Sequence, residues 1–418
     1  MRLPSWRAGM PGLLLLAALW AVPPAVASPL SSLRTTLRRD MRRAGGSNGA
    51  LVVDRTTGRT LFSVNPNVRR LPASVEKLYT TTTALLDYGP RTRLDTSVYG
   101  AGSLTDGAWE GTLYLRGGGD PTFGAQSFDR SWYGTGATVQ TLAKNLGKAG
   151  IRSVQGRIIG DESWFDDLRG TPATRYKPNL EVEGELSGLS FDSGFTSASG
   201  TALQPHPTLF ATQQFARALR SQGITVPSKT KISAGTTPST AQRIAAVASP
   251  TMAKLTEMTN SPSDNFFAET LLKDLGARFG GGGTTARGAA VVRSLIASRF
   301  GLHPRLDDGS GLSRYDHTSP AQLVSLLERM QSNSSFWNSL AIAGVRGTMQ
   351  DEMTRTRAVN NCRGKTGTLH DVANLVGYCR SRNGDQLVFA FLFNRQSDST
   401  YGHEMEDNMG VALANYNP

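Results

Sequence analysis

A serine and a lysine stand three residues apart in PASVEK, as Ser74 and Lys77. In water the hydroxyl is a poor nucleophile and the amine is a protonated cation. On a helix, positions i and i+3 share a face, so the two can meet. An amine that has lost its proton can then act as base for the hydroxyl, which is the start of acyl transfer. Alone the pattern is weak, because a simple helix N-cap is then the better reading of Ser74. A second copy, SKTK at 228–231, lies in a stretch that reads as extended, where positions three apart face opposite ways.

Two further motifs change the weight of the first. SPSDNFFAE holds Ser263, Asp264 and Asn265 in the turn ahead of a helix, and CRGKTGTLHD holds Lys365, Thr366, Gly367 and Thr368 in a glycine-punctuated strand. A Ser-x-Asn also occurs by accident at 63–65, so the ordered set of three carries the argument. Competing sites fare worse. GKT at 364–366 echoes the end of a phosphate loop, but Val359 stands where that motif needs glycine and no helix follows. GGSNG at 45–49 runs from helix to strand, the reverse of a nucleophile elbow. GGGD at 117–120 reads as a tight turn. The 5 histidines show no metal-ligand spacing, and no metal or cofactor is called for.

The elements that must hold these residues can be read coarsely. PLSSLRTTLRRDMRR sets Leu30, Leu33, Leu37 and Met41 at helical spacing, and ALVVD and RTLFSVN flank RTTG as a hairpin. A helix is expected from about Ala73 to Tyr88, closed by Gly89 and Pro90. Between 91 and 235 short β-like runs alternate with Gly, Asp and Pro turns, which reads as an inserted, mainly β domain. Helices return in SPTMAKLTEMTN, NFFAETLLKDLGARF and TTARGAAVVRSLIASRF. Near the end ANLVGYCRS and QLVFAFLFN flank RNGD, a strong hairpin signal, and a last helix is expected over 402–416. The outer segments, 28–90 and 236–418, therefore read as one α/β domain: a sheet from both chain ends with helices against it.

The chain has 418 residues, enough for two or three cores, and its 39% apolar and 19% charged residues suit an ordinary globular protein. Arg2 and Arg7, the apolar run GLLLLAALWAV and the small residues AVA before Ser28 have the layout of a signal peptide over 1–27. Export to the periplasm or the cell-wall space follows as an expectation, without a stable transmembrane anchor. The formal charge of +12 falls to about +10 once those two arginines leave, which favours anionic surroundings. Nucleic acid is not expected, because no basic patch is interleaved with aromatics.

The ordered motifs resemble those of the active-site serine DD-peptidases and serine β-lactamases. With LRGGGDPTFG, DGSGLSRYDHTSP and RGTMQDEM they are most similar to D-alanyl-D-alanine carboxypeptidases and endopeptidases of the penicillin-binding protein 4 type, the class C low-molecular-mass penicillin-binding proteins. The resemblance covers nearly the whole mature chain, with a shorter insert and an unusual Glu76 inside Ser-x-x-Lys. It implies a serine DD-peptidase fold, peptidoglycan stem peptides as substrate and β-lactam antibiotics as covalent inhibitors.

The roles follow from what acyl transfer needs. Ser74 would attack the terminal D-Ala-D-Ala carbonyl, and Lys77 would be the base. To act near neutral pH the amine must lose its proton, a change worth roughly 4 kcal/mol, for which burial beside Lys365 is the expected cause. Ser263 would relay a proton to the leaving amine, and Asn265 would hold the substrate amide. Lys365, Thr366, Gly367 and Thr368 would form the carboxylate-binding strand, and the backbone N–H groups of Ser74 and Thr368 the oxyanion hole. If that strand pairs antiparallel with ANLVGYC through a turn near 370, Cys362 and Cys379 face each other and a disulfide is expected. The rivals are a serine β-lactamase and a non-catalytic wall-binding protein. The first is disfavoured by the lack of a Glu-x-x-Leu-Asn segment, the second by the complete set of side chains.

Overall fold

The computed structural model describes Met1 and residues 28–418, so the signal-peptide expectation over 1–27 lies outside the described residues. Eleven strands are described: β1 (Ser47–Asp54), β2 (Arg59–Val64), β3 (Asp95–Thr105), β4 (Ala108–Arg116), β5 (Ser153–Asp161) and β6 (Lys231–Ala234), then β7 (Gln242–Ala248), β8 (Ala341–Ile342), β9 (Arg363–Leu369), β10 (Val372–Arg380) and β11 (Gln386–Asn394). They form two sheets.

The first sheet has the order β2-β1-β11-β10-β9-β8 and every neighbouring pair is antiparallel. It draws its strands from both ends of the chain, as the hairpin signals require. β11 shows why its two faces are covered differently. Leu387, Phe389, Phe391 and Phe393 pack with Leu33, Leu37, Met405 and Met409 of the helices Pro29–Ala44 and Ser399–Asn415. The alternate residues Val388, Ala390 and Leu392 pack with Leu78, Phe266 and Leu323 of the helices Lys77–Asp87, Asn265–Phe279 and Pro320–Met330. The period of two along one strand thus separates two helical layers.

The second sheet has the order β6-β5-β4-β3-β7 and is mixed, with β4, β5 and β6 parallel. Parallel neighbours need crossovers, and the helices Val139–Lys148 and Pro207–Ser221 supply them, burying Leu142, Leu146, Phe215 and Leu219 against the strands. The expected boundary at 235 falls short: β7, at 242–248, pairs with β3 and belongs to this second sheet. QRIAAVA has no strict alternation to mark it as a strand in sequence, and its pairing partner lies far upstream. The structure joins Cys362 and Cys379 in a disulfide, one step beyond the Arg363–Tyr378 pair of the β9–β10 ladder.

Candidate active site

The expected single helix over Ala73–Tyr88 is a 3-10 turn, Ala73–Glu76, feeding the α-helix Lys77–Asp87. Ala73 has φ 47, a left-handed conformation that a side chain resists, so the turn needs holding. Two asparagines from the sheet hold it. Asn374 on β10 donates to the carbonyls of Leu71 (2.9 Å) and Pro72 (2.8 Å), and Asn394 on β11 accepts from the Leu71 N–H at 2.7 Å. A Cβ on Gly311 would lie 1.9 Å from the Ala73 carbonyl oxygen, so only glycine lets that loop close over the turn.

Ser74 is half-buried and Lys77 is fully buried. Lys77 Nζ lies 2.8 Å from Ser74 Oγ, 2.6 Å from Asn265 Oδ1 and 2.9 Å from the Ser310 carbonyl oxygen. Two of these partners are acceptors without a proton. A neutral amine has two N–H bonds for them and one lone pair left for the Ser74 O–H. The set of partners therefore suits a base poised on the serine. Burial lowers the Lys77 pKa below its ordinary value, while Glu183, Glu76, Asp264 and Asp308 oppose the change.

Lys365 is also fully buried, on β9, and its Nζ donates to the Thr366 carbonyl at 2.9 Å. Burial first, and repulsion from Lys77 second, push its pKa well below the usual lysine value. The two buried amines repel each other when both are charged, so burial together with this pairing favours the loss of a proton, as the sequence led one to expect. Glu183 acts on both amines, and Glu352 on Lys365 as well. Thr366 Oγ1 donates to Thr348 Oγ1 at 2.7 Å, and Thr368 is exposed at the rim. Gly367 lies where β9 meets the Ser74 turn; a Cβ there would sit 2.5 Å from the Pro72 carbonyl oxygen and 3.1 Å from Val75 N.

In the second motif Asp264 is the N-cap of Asn265–Phe279, accepting from Phe267 N at 2.8 Å. That places Asn265 on the first turn, facing Lys77. Ser263 is half-buried in the left-handed region, with φ 71. Its hydroxyl makes no hydrogen bond to Ser74, Lys77 or Lys365 among the described residues, so of the three expected catalytic groups only Ser74 and Lys77 are directly bonded.

Sequence reasoning missed what the insert contributes. Asn265 Nδ2 donates to the Glu181 carbonyl at 2.8 Å, and Asn265 N–H donates to Glu183 Oε2 at 2.6 Å. Both partners lie on the 3-10 segment Leu180–Val182 and its left-handed cap at Glu183. A carboxylate at a helix N-terminus is electrostatically favoured, but nothing local in EVEGE announces a contact more than eighty residues away. Missed too was a buried acidic wall behind Lys77. Glu269 accepts from Gly309 N (3.0 Å) and Ser310 N (2.8 Å), Asp308 from Gly311 N and Ser313 N (both 2.7 Å), and Glu76 joins them. Burial raises all three, and repulsion from Asp308 adds to it at Glu76 and Glu269, bringing Glu269 to about 8.

A serine and a buried lysine on a helix start, an asparagine at the head of a second helix and a Lys-Thr-Gly-Thr strand at the edge of the Ser74 turn define a serine DD-peptidase-like fold. Residues 35–177 and 177–416 match the D-Ala-D-Ala carboxypeptidase 3 (S13) family, and the chain belongs to that family of serine peptidases. It is 27% identical to a D-alanyl-D-alanine carboxypeptidase of an Actinomadura species, over 94% of this chain and 87% of that protein. It is 29% identical to the carboxypeptidase DacB of Mycolicibacterium smegmatis, over 82% and 75% of the two chains. The crystal structure of penicillin binding protein 4 from Haemophilus influenzae has the same fold, with TM-score 0.74 and 19% identity, covering 91% of this chain and 99% of that one.

Proposed function

We propose that this chain is an exported serine D-alanyl-D-alanine carboxypeptidase, acting also as an endopeptidase on peptidoglycan cross-links, that works through an acyl-enzyme on Ser74. The observation that carries the reading is the 2.8 Å contact from Ser74 Oγ to the buried amine of Lys77, whose other partners are acceptors. Neutral Lys77 takes the Ser74 proton as Oγ attacks the penultimate D-alanine carbonyl. The oxyanion is held by the N–H groups of Ser74 and Thr368, a contribution of about 3 kcal/mol per donor. Lys77 then carries the proton that the leaving amine needs, passed directly or through Ser263. Water hydrolyses the ester in the second half of the cycle.

The substrate's terminal carboxylate lies against Lys365, Thr366 and Thr368 and keeps Lys365 charged once bound. Asn265 keeps one amide N–H for the substrate's peptide carbonyl, because Glu181 takes only the other. A β-lactam enters by the same route and stays as a covalent adduct. Among the described residues no helix is long and apolar enough to cross a membrane.

The deciding experiment is incubation with penicillin and with a stem pentapeptide. A long-lived adduct located on Ser74, together with D-alanine release that Ser74→Ala abolishes, supports the reading. Rapid penicillin turnover without D-alanine release would make the chain a β-lactamase instead.

A further inference from the structure

Thr368 is one end of a hydrogen-bonded chain that runs into the core. Its Oγ1 lies 2.9 Å from His403 Nε2, and His403 Nδ1 lies 2.9 Å from Glu406 Oε2. His403 and Glu406 sit one turn apart on Ser399–Asn415, the helix that packs on β10 beside β9. Glu406 is buried while Thr368 is exposed in the cleft, and His403 lies between them with its side chain 27% exposed.

One proton decides which way the Thr368 hydroxyl points. Glu406 holds the proton on Nδ1, so in the neutral ring Nε2 is bare and must accept from Thr368 O–H. The cleft then meets oxygen lone pairs. In the imidazolium, Nε2–H donates to Oγ1 instead and the hydroxyl hydrogen is free to point into the cleft.

We propose that His403 is a positioning residue for the substrate's C-terminal carboxylate: protonated, it turns the Thr368 hydroxyl outward as a donor, and neutral, it turns that donor away. This rests on the reading above in which Thr368 receives the carboxylate. It adds an element from the C-terminal helix, outside all three sequence motifs, and gives the site a pH-dependent preference for carboxylate-ended substrates.

The groups facing the ring are Glu406 and Asp407 from its own helix, Glu352 from the segment ahead of β9 and Thr368 from β9, with Lys365 beyond Glu352. Burial alone lowers the imidazole, but the hydrogen bond to Glu406 and the surrounding carboxylates outweigh it, and the net direction is upward from 6.5. Glu352 is itself pushed up to about 8 by burial and by Asp407 and Glu406, so it adds little negative charge at neutral pH. Glu406 is itself pushed up to about 7 by burial, so the added proton belongs to the His403–Glu406 pair; on either partner it leaves Nε2–H to donate to Thr368, and the sign is the same. The imidazolium is present below its raised pKa and is lost above it, and affinity for a carboxylate falls as pH rises through that value.

The test compares a peptide ending in D-Ala-D-Ala with its C-terminal amide over about pH 5 to 9, with KM and kcat separated. For wild-type protein, KM for the acid should rise about tenfold or more on the alkaline side, the size of a lost hydrogen bond to a charged group, while KM for the amide stays flat. In His403→Gln the side-chain amide donates to Thr368 at every pH, so KM for the acid should stay low and lose its pH step. Glu406→Gln, which removes the carboxylate supporting the imidazolium, should move the step to lower pH. Thermal melts confirm that each variant is folded. Identical profiles for acid and amide in wild type would overturn the proposal, as would an unchanged step in folded His403→Gln, since Lys365 would then be the titrating group. A wild-type protein that releases no D-alanine fails the DD-peptidase reading itself. An active one that fails either comparison defeats this inference alone.

Discussion

Gly367→Ala probes how the oxyanion hole is built. A Cβ at this position would lie 2.5 Å from the Pro72 carbonyl oxygen, where ordinary contact begins near 3.4 Å. The Pro72 carbonyl cannot swing aside, because Asn374 Nδ2 donates to it at 2.8 Å from the buried centre of β10. β9 must therefore retreat by about 0.9 Å, the difference between those two distances. A donor placed about 2.9 Å from the developing oxyanion would end up near 3.8 Å, beyond useful hydrogen bonding. Loss of one such donor costs about 3 kcal/mol, a factor of roughly a hundred in the acylation rate.

The assay is the second-order rate of Ser74 acylation by a fluorescent penicillin, run beside D-alanine release from a pentapeptide. Both should fall by about two orders of magnitude. Displacing β9 should cost about 1–3 kcal/mol of stability, with the ladder to β10 retained. Acylation within threefold of wild type, in a protein that melts cooperatively, would mean that the Thr368 N–H is not part of the hole and that the role given to β9 is wrong.

Other expectations follow from the same geometry. Glu183 is the largest of the charges that raise Lys77, so Glu183→Gln should shift the acid limb of the acylation profile to lower pH; a limb that stays put would remove the insert from the catalytic electrostatics. Glu269 is raised to about 8 from an ordinary carboxyl value near 4.5, so its burial contributes stability that is full at low pH and lost as pH rises through about 8. The melting temperature should fall over that range, by a free energy of at most roughly 5 kcal/mol, and Glu269→Gln should flatten the fall. The disulfide spans a separation of 17 residues, so Cys362→Ala with Cys379→Ala should cost about 3 kcal/mol in chemical unfolding; unchanged stability, or two thiols titrating in untreated native protein, would count against a formed bond.

The parts of the fold legible in sequence were those set by neighbours. Arg382, Asn383, Gly384 and Asp385 form the turn between β10 and β11, where Gly384 N–H reaches the Ser381 carbonyl at 3.1 Å, and turn chemistry of that kind acts over a few residues. The stripe Leu33, Leu37, Met41 of the first helix is buried as its spacing demanded. Ser74 and Lys77 could be paired because their contact lies within one helical turn. Ser263 shows the limit of the same method, since a motif fixes residue types in order but not the rotation that decides whether a hydroxyl reaches its partner.

The illegible parts all depend on contacts between segments that carry no sign of each other. β7 joins the second sheet through a partner about 150 residues upstream, and Glu183 reaches Asn265 only because the insert folds back over the cleft. His403 looked like one of five isolated histidines until Ser399–Asn415 packed beside β9. The motif residues Lys77 and Lys365 are alike in sequence and both fully buried, yet they differ in what surrounds them. Lys77 hydrogen-bonds Ser74, Asn265 and the Ser310 carbonyl and is influenced by four carboxylates, whereas Lys365 hydrogen-bonds only the Thr366 carbonyl and is influenced by Glu183 and Glu352. The proposed division, proton transfer for Lys77 and carboxylate binding for Lys365, rests on those hydrogen-bond partners, which the surrounding segments supply and neither lysine's own motif encodes.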